Sequence, residues 1–202
     1  MNEHMNDQYY TREPGSESRP VECGFEYRGK ALRFTTDAGV FSRDGLDRGT
    51  EVLLNALPEL TGRVLDLGCG WGAVGVSLGA KDPGLEIVMT DLNARAVDLA
   101  RRNLAANGVR AAVVQGDGFA AVEGKFDAIV TNPPIRAGKA VIYGLFDRAR
   151  DFLNPGGRLY VVIRKQQGAP SALKYLREVY GEAEVIDRSG GFHVIRAVRD
   201  RQ

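Results

Sequence analysis

The chain has 202 residues, a net charge of +1, and 44% hydrophobic and 26% charged residues. This length and composition predict one globular domain, and the near-neutral charge means that any nucleic-acid contact needs a local basic patch. The two cysteines, Cys23 and Cys69, are far apart, which excludes a disulfide framework and a cysteine metal cluster and favours a reducing compartment. With no signal peptide and no apolar run long enough to span a membrane, we expect a cytoplasmic protein with no metal and no membrane partner.

The amino-terminal region is predicted to be an addition to the main fold. Residues 1–20 are polar and lack hydrophobic periodicity, so they are predicted to be a disordered tail, and residues 21–202 to form a single domain. Alternating apolar residues in 24–36, around Arg28-Gly29-Lys30, predict a small β-hairpin. A turn-rich segment, 37–42, and a helix from about 44 to 57 follow.

From residue 64 onward, predicted strands and helices alternate. A buried strand ends in a glycine turn, Gly68-Cys69-Gly70-Trp71-Gly72, before a helix over 73–81. Further strands are predicted at 86–91, 111–115, 126–131, 158–164, 183–187 and 192–198, with helices at 93–108, 142–152 and 171–180. A turn is predicted at 154–157, and the short link 188–191 makes the last two strands an antiparallel pair. The fold class is α/β: a Rossmann-like, seven-stranded, mostly parallel sheet with helices on both faces, a C-terminal antiparallel hairpin and an N-terminal β-hairpin extension.

The glycine turn alone does not identify its ligand. Gly70 to Gly75 satisfies the G-x-G-x-x-G pattern of dinucleotide sites, and Asp91 lies where a ribose-binding acid is expected. Two features argue against NAD: Asp66 places a carboxylate inside the strand before the turn, and Asn132-Pro133-Pro134 follows the fourth strand of the alternating region. An NAD oxidoreductase and a non-catalytic nucleotide-binding protein stay open as alternatives.

These residues resemble a known family. The segment 64–72 is similar to motif I of class I S-adenosylmethionine-dependent methyltransferases, and Asn132-Pro133-Pro134-Ile135 to their motif IV, found where an amino or amide nitrogen is methylated. Over about residues 24–198 the chain is similar to the "methyltransferase small" domain of RsmC-type 16S ribosomal RNA guanine-N2 methyltransferases, and closer still to short free-standing members. Segments 39–47 and 191–197 also carry this resemblance.

The resemblance implies a cofactor site for S-adenosylmethionine. Asp66 would steady the glycine turn and the methionyl amino group, the turn glycines would let the backbone approach the ligand, and Asp91 would accept from the ribose hydroxyls. Asp117 would bind the adenine amino group, Leu92 and Phe119 could enclose the ring, and Phe41 would lie against the site. The full set of implied cofactor residues is Asp66, Gly68, Cys69, Gly70, Asp91, Leu92, Asp117, Gly118, Asn132 and Phe41, with Gly72 as a further turn glycine.

The Asn-Pro-Pro motif predicts the chemistry. The Asn132 side-chain oxygen and the Pro133 carbonyl can accept both hydrogens of an amino group, which directs its lone pair at the methyl group. Pro133 and Pro134 stiffen the loop because proline fixes its own φ. We therefore predict Asn132, Pro133 and Pro134 as the catalytic residues.

The resemblance implies guanine N2 of 16S ribosomal RNA as the leading target, and the local charge also favours an RNA substrate. The segment 136–165 holds seven basic residues against two acidic ones. Arg136, Lys139 and Lys165 are predicted to bind phosphates, Ile135 to face the base and Phe192 to stack on it. The main alternative acceptor is a glutamine side-chain amide of a protein, although the methyltransferases that act on it prefer an aromatic residue at position 135. Methylation of DNA adenine is disfavoured. The sequence does not distinguish a monomer from a homodimer.

Overall fold

A computed structural model describes residues 15–201 of the chain. The two amino-terminal strands are β1 (Val21–Tyr27) and β2 (Lys30–Thr36), and the others are β3 (Arg63–Leu67), β4 (Glu86–Asp91), β5 (Ala112–Gln115), β6 (Phe126–Thr131), β7 (Leu153–Arg164), β8 (Glu182–Ser189) and β9 (Phe192–Val198). The α-helices are α1 (Arg48–Ala56), α2 (Ala73–Lys81), α3 (Ala94–Ala106), α4 (Lys139–Phe152) and α5 (Ala169–Tyr180).

The sheet topology confirms the predicted fold class. Strands β1 and β2 form an antiparallel hairpin, and the other strands form a seven-stranded sheet of order β5-β4-β3-β6-β7-β9-β8. The pairs β4–β5, β3–β6 and β6–β7 are parallel, whereas β7–β9 and β8–β9 are antiparallel. Parallel strands bring their carboxyl ends to the same edge, where ligands bind in folds of this kind.

Two compact units make up the described chain. Unit 1 comprises the described part of Met1–Asp47 together with Cys69–Val122, and unit 2 comprises Arg48–Gly68 together with the described part of Glu123–Gln202. The predicted tail lies outside the described residues over 1–14. Ser16, Ser18 and Arg19 do have contacts in unit 1: Arg95 donates to the Ser16 carbonyl at 2.8 Å, and the Ser18 hydroxyl donates to Asp37 at 2.7 Å.

Unit 1 is held together by a buried asparagine as well as by apolar packing. The Asn103 side chain on α3 is fully buried, accepts from the Thr35 amide at 2.8 Å, and donates to the carbonyls of Thr35 and Trp71. It therefore joins the hairpin, α3 and the glycine turn. The Phe34 and Trp71 rings meet edge to face with centroids 4.9 Å apart. A buried polar group whose bonds are all made specifies one arrangement of the surrounding elements.

Unit 2 is built around the apolar centre of β3, β6 and β7. Val64, Leu65, Ile129, Leu159 and Val161 are completely buried. Their continuous apolar character is typical of parallel strands covered on both faces. Tyr180 at the end of α5 is buried but donates its hydroxyl to the Phe146 carbonyl on α4 at 2.8 Å, which joins the two helices.

Three local predictions were wrong in their detail. Helix α1 begins at Arg48 rather than near 44, because Ser42 takes a left-handed backbone with φ 57° and Gly45 has φ 126°. The predicted turn at 154–157 is part of β7, where the pairing with β6 shifts register. The predicted regular alternation has a gap, because turns rather than a helix join β5 to β6 in this described stretch.

Candidate active site

The glycines of the turn after β3 have two different structural roles. Gly68 and Gly70 have φ values of 74° and 54°, and a side chain at either would meet nothing within 4 Å. Their backbone is thus open to an approaching ligand. Gly72 differs, because a Cβ there would lie 3.1 Å from Met89 and 3.3 Å from the Ala100 backbone. The third glycine lets α2 pack against its neighbours in unit 1 rather than admit a ligand.

Asp91 lies at the end of β4 and is joined to the glycine turn. One carboxylate oxygen accepts from the Gly70 amide at 2.8 Å and the other from the Asn93 amide at 2.9 Å. Burial raises the pKa of Asp91, and the amide hydrogen bonds from Asn93, Gly70 and Leu92 act in the opposite direction. Since a carboxylate has about four acceptor sites, Asp91 can still accept a hydroxyl group of a ligand.

The other residues of unit 1 that are predicted to bind the adenine ring lie near the ends of β4 and β5. The Gly116 amide donates to the Asp91 carbonyl at 3.0 Å, and the Gln115 side chain donates to the Leu92 carbonyl at 3.1 Å. These bonds bring the exposed Asp117 and its neighbour Gly118 beside the end of β4. Leu92 is half-buried and accessible, whereas Phe119 is a core residue only 4% exposed. Cys69 is buried, and its amide donates to the Thr90 carbonyl at 2.9 Å.

The loop that carries Phe41 is fixed by residues of motif I and of α3. The Trp71 ring N–H donates to the Ser42 carbonyl at 3.3 Å, and the Asn93 side chain donates to the Gly39 carbonyl at 2.8 Å. Arg95 donates to the Ala38 carbonyl at 2.5 Å. Phe41 is nonetheless 45% exposed, although large apolar side chains are usually buried. The loop thus presents an aromatic ring to solvent from a rigid base.

Asn132 begins the Asn-Pro-Pro turn of unit 2, directly after β6. Its side-chain amide donates to the Thr50 hydroxyl on α1 at 3.0 Å. The preceding Thr131 donates its hydroxyl to the Leu67 carbonyl at 2.8 Å, and Asp66 pairs with Val130 in the parallel register. Asp66 itself is buried, at 2% exposed. Because the amide nitrogen of Asn132 is engaged by Thr50, its oxygen is oriented as an acceptor.

The chain becomes exposed immediately after the prolines. Pro133 is buried, Pro134 and Ile135 are half-buried, and Arg136 and Lys139 are exposed. Ile135–Ala137 form a single 3₁₀ turn, and Gly138, with φ 92°, leads into α4. Asn132, at the start of the turn, is half-buried, and the exposed residues after the turn include the two predicted phosphate-binding cations.

Two further predicted substrate residues, Lys165 and Phe192, lie at the end of β7 and the start of β9. The Lys165 amide donates to the Gly191 carbonyl at 2.8 Å, which places Lys165 beside Phe192 at the start of β9. The Arg164 guanidinium carbon lies 5.3 Å from the centre of the Phe192 ring, in cation–π geometry. One face of Phe192 is therefore already covered by Arg164.

Several residues of the site had no individual signal in the sequence. Thr50 is one threonine in an amphipathic helix, and only the fold brings it to Asn132. Asn93 was predicted as a helix cap, and it does accept from the Arg95 and Ala96 amides, but its second bond to the Phe41 loop was missed. Asn103 could have been noticed as an asparagine on the apolar face of α3. Within residues 15–201, no group of three or more histidine, cysteine or acidic side chains could hold a metal.

The strand order and the two turns together define the class of protein. A glycine turn before α2 and an Asn-Pro-Pro turn after β6, on a sheet that ends in an antiparallel hairpin, define an S-adenosylmethionine-dependent methyltransferase. The chain belongs to the methyltransferase small domain family, which matches residues 31–196. This confirms the predicted family, enzyme class and cofactor, and it favours the methyl donor over NAD.

Relatives at moderate identity support this assignment. The chain is 39% identical over 198 residues to the uncharacterised protein YbxB of Bacillus subtilis, covering 96% of this chain and 98% of that protein. It is 40% identical over 186 residues to ribosomal RNA small subunit methyltransferase C of Citrobacter koseri, covering 88% of this chain and 52% of the relative. The chain thus spans about half the length of the methyltransferase C relatives it matches.

A solved structure gives the same picture at the level of the fold. The Thermus thermophilus 16S rRNA N2 G1207 methyltransferase RsmC, in complex with AdoMet and guanosine, superposes with a TM-score of 0.80 at 28% identity. The match covers 92% of this chain and 52% of that one. A methyltransferase from Pyrococcus furiosus, at 24% identity and a TM-score of 0.63, shares the fold.

No helix within residues 15–201 has the length and apolarity needed to cross a membrane.

Proposed function

We propose that this protein transfers a methyl group from S-adenosylmethionine to an exocyclic amino group of RNA, with guanine N2 of 16S ribosomal RNA as the first target to test. The observation that carries the proposal is the Asn132 side chain, whose nitrogen donates to Thr50 and whose oxygen is thereby set as an acceptor. An oxygen acceptor at this position can take a hydrogen bond from a substrate amino group. The solved RsmC relative, which holds guanosine and AdoMet, supports the guanine target. A ribosomal substrate would place the protein in the cytoplasm.

The residues that follow β3, β4 and β5 fit the methyl donor. Asp91 retains acceptor capacity for a ribose hydroxyl, because a carboxylate has about four acceptor sites and backbone amides use at most three of them. Gly68 and Gly70 offer open backbone, and Asp117, Gly118 and Leu92 are candidates for the adenine. S-adenosylmethionine supplies a methyl group that its sulfonium already activates. The protein therefore needs to bind, orient and exclude water rather than generate a strong base.

The residues of unit 2 prepare the acceptor nitrogen. The lone pair of a guanine amino group is delocalised into the ring, so the nitrogen is a weak nucleophile. Hydrogen bonds from the amino group to the Asn132 oxygen and the Pro133 carbonyl favour a tetrahedral nitrogen with its lone pair directed at the methyl group. Fixed dipoles of this kind need no reorganisation during the reaction, which is why they stabilise a transition state effectively.

Exposed cations of unit 2 supply the contact with the RNA backbone. Arg136 and Lys139 follow the Asn-Pro-Pro turn, and Lys165 follows β7, the strand next to β6 in the sheet. Ile135 offers an apolar face to the base. Phe192 can stack only on the face that Arg164 leaves uncovered. Because the chain as a whole carries +1, this local set of charges would dominate the attraction of phosphates.

A comparison of acceptors tests the proposal. Wild-type protein and the Asn132→Ala variant are incubated with labelled S-adenosylmethionine and, separately, with total RNA, 30S particles, DNA and peptide release factors. Nucleoside mass spectrometry then identifies the methylated base. We expect label in RNA or 30S particles, as N2-methylguanosine, with the wild type alone. Label confined to a release factor would overturn the RNA proposal in favour of a glutamine amide, and label in N6-methyladenosine would overturn the guanine target.

A further inference from the structure

We propose that the turn between β8 and β9 extends the phosphate-binding surface beyond Lys165 and holds the RNA strand beside the target nucleotide. The surface consists of Arg48, Lys165 and Arg188 around Gly190 and Gly191, and we call it the turn cluster. The identity of its ligand rests on the proposed function, because the cluster is assigned to the substrate of the same enzyme.

Three separate elements bring these cations to one place. Arg188 is the penultimate residue of β8 and pairs with His193 on β9. Lys165 follows the last residue of β7, and its amide donates to the Gly191 carbonyl of the turn at 2.8 Å. Arg48 begins α1, and its Nε would lie 2.9 Å from a Cβ added at Gly190. The turn can accommodate Arg48 this closely because Gly190 has no side chain.

These cations affect the pKa of the neighbouring residue His193. Its pKa is lowered by burial and by the nearby positive charges of Arg188 and Lys165. Both cations are therefore close enough to act on one imidazole. Cations held together repel one another, and a bound anion relieves that repulsion.

Few carboxylates offset the cluster. Glu51 on the first turn of α1 accepts from Arg48 at 2.8 Å, in a pair whose side chains are 54% and 43% exposed. Asp187 precedes Arg188 on β8, so its side chain points to the opposite face of the sheet. Within residues 15–201, Lys165 and Arg188 make no ion pair, and both are exposed. The cluster thus keeps two cations available for a ligand.

The position of the cluster favours a nucleic-acid strand over a small anion. Thr131 of β6 pairs with Val161 of β7, so Asn132 lies near Val162 in register. Lys165 is three residues further along, on the order of 10 Å at the rise of a β-strand. A substrate whose amino group reaches Asn132 and which also meets the turn cluster must be extended and anionic. Single-stranded RNA has both properties.

Binding of a short fluorescent single-stranded RNA, followed by anisotropy over a range of salt concentrations, tests the surface. The test variant is Lys165→Ala with Arg188→Ala. The matched control is Arg102→Ala with Lys174→Ala, which removes the same charge from exposed positions on α3 and α5. Loss of two phosphate contacts should lower the salt slope by about 1.4 and weaken binding about 10- to 30-fold near 0.1 M salt. The control variant should bind within about twofold of wild type.

The outcomes separate this inference from the proposed function. If the test variant binds RNA as tightly as the control, the turn cluster is not an RNA surface, whatever the enzyme methylates. If the test variant loses affinity while wild type methylates only protein, the surface stands and the proposed acceptor is wrong. Calorimetry with S-adenosylmethionine should give equal donor affinity for both variants, and a loss of donor affinity in the test variant would count against the inference.

Discussion

The residues proposed to bind the donor in unit 1 and those proposed to prepare the acceptor in unit 2 are held in different ways. In unit 1 the groups proposed to bind the donor are backbone amides, glycines and the Asp91 carboxylate, which itself accepts from the Gly70 and Asn93 amides. In unit 2 the group proposed to prepare the acceptor nitrogen is the Asn132 side chain, whose amide donates to the hydroxyl of Thr50, and the chain is exposed a few residues later. If the proposed roles are correct, donor binding depends mainly on backbone geometry, whereas methyl transfer depends on particular side chains.

The largest expected effect separates these two functions at Asn132. Asn132→Ala removes the side-chain acceptor, and loss of one preorganised hydrogen bond in a transition state typically costs about 10²- to 10³-fold in kcat. The affinity for S-adenosylmethionine should stay near that of wild type, because Asp91 and the glycine turn are untouched. Single-turnover methylation and calorimetry measure the two quantities.

A matched replacement makes this test more specific. Asn132→Asp keeps a side-chain oxygen acceptor but cannot donate to Thr50. It should therefore retain more activity than Asn132→Ala and less than wild type. Equal turnover by all three proteins would remove Asn132 from the catalytic residues.

The converse effect is expected at Asp91. Asp91→Asn keeps one oxygen but loses the charge and one acceptor, so either Gly70 or Asn93 loses its bond partner. Hydrogen bonds to charged groups contribute about 1.5–3 kcal/mol, so donor affinity should fall about 10- to 100-fold. Asp98→Asn, an exposed change on α3, is the control. Unchanged donor affinity in Asp91→Asn, measured by calorimetry, would contradict the assignment of the ribose acid.

A smaller effect is expected at Thr50, as a positioning residue that acts through Asn132. Thr50→Val keeps the shape of the side chain but removes the hydroxyl that accepts from Asn132. One misoriented hydrogen bond should lower kcat about tenfold, with little change in donor affinity or in the KM for RNA. Thr50→Ser retains the hydroxyl and should restore turnover. A Thr50→Ser variant as slow as Thr50→Val would indicate a packing role instead.

The sequence was informative where function depends on short local motifs. The bounds of α2 and β6 and the cap at Asn93 were predicted correctly, because periodicity and capping are local properties. The start of α1 was not, since the left-handed backbone of Ser42 is set by its surroundings. Thr50 and Arg48 join their partners only through strand order and helix packing. The bulge in β7 escaped notice because Asn-Pro-Gly-Gly is typical of a free turn.

The smallest expected effect is a pH dependence of stability at His193 in unit 2. Its pKa in the folded chain lies below the usual 6.5, owing to burial and to Arg188 and Lys165. As the pH falls through 6.5 the unfolded chain gains this proton first, so the free energy of unfolding falls and then levels off below the folded pKa. Urea unfolding of wild type and His193→Gln, between about pH 7.5 and pH 5.5, should therefore show wild type losing stability relative to the variant as the pH falls.

Lys165→Ala should reduce the difference, because it removes one of the two cations that disfavour the imidazolium. A difference between wild type and His193→Gln that does not vary with pH would show that these cations do not act on the imidazole, and the charged character assigned to the turn of unit 2 would then fail.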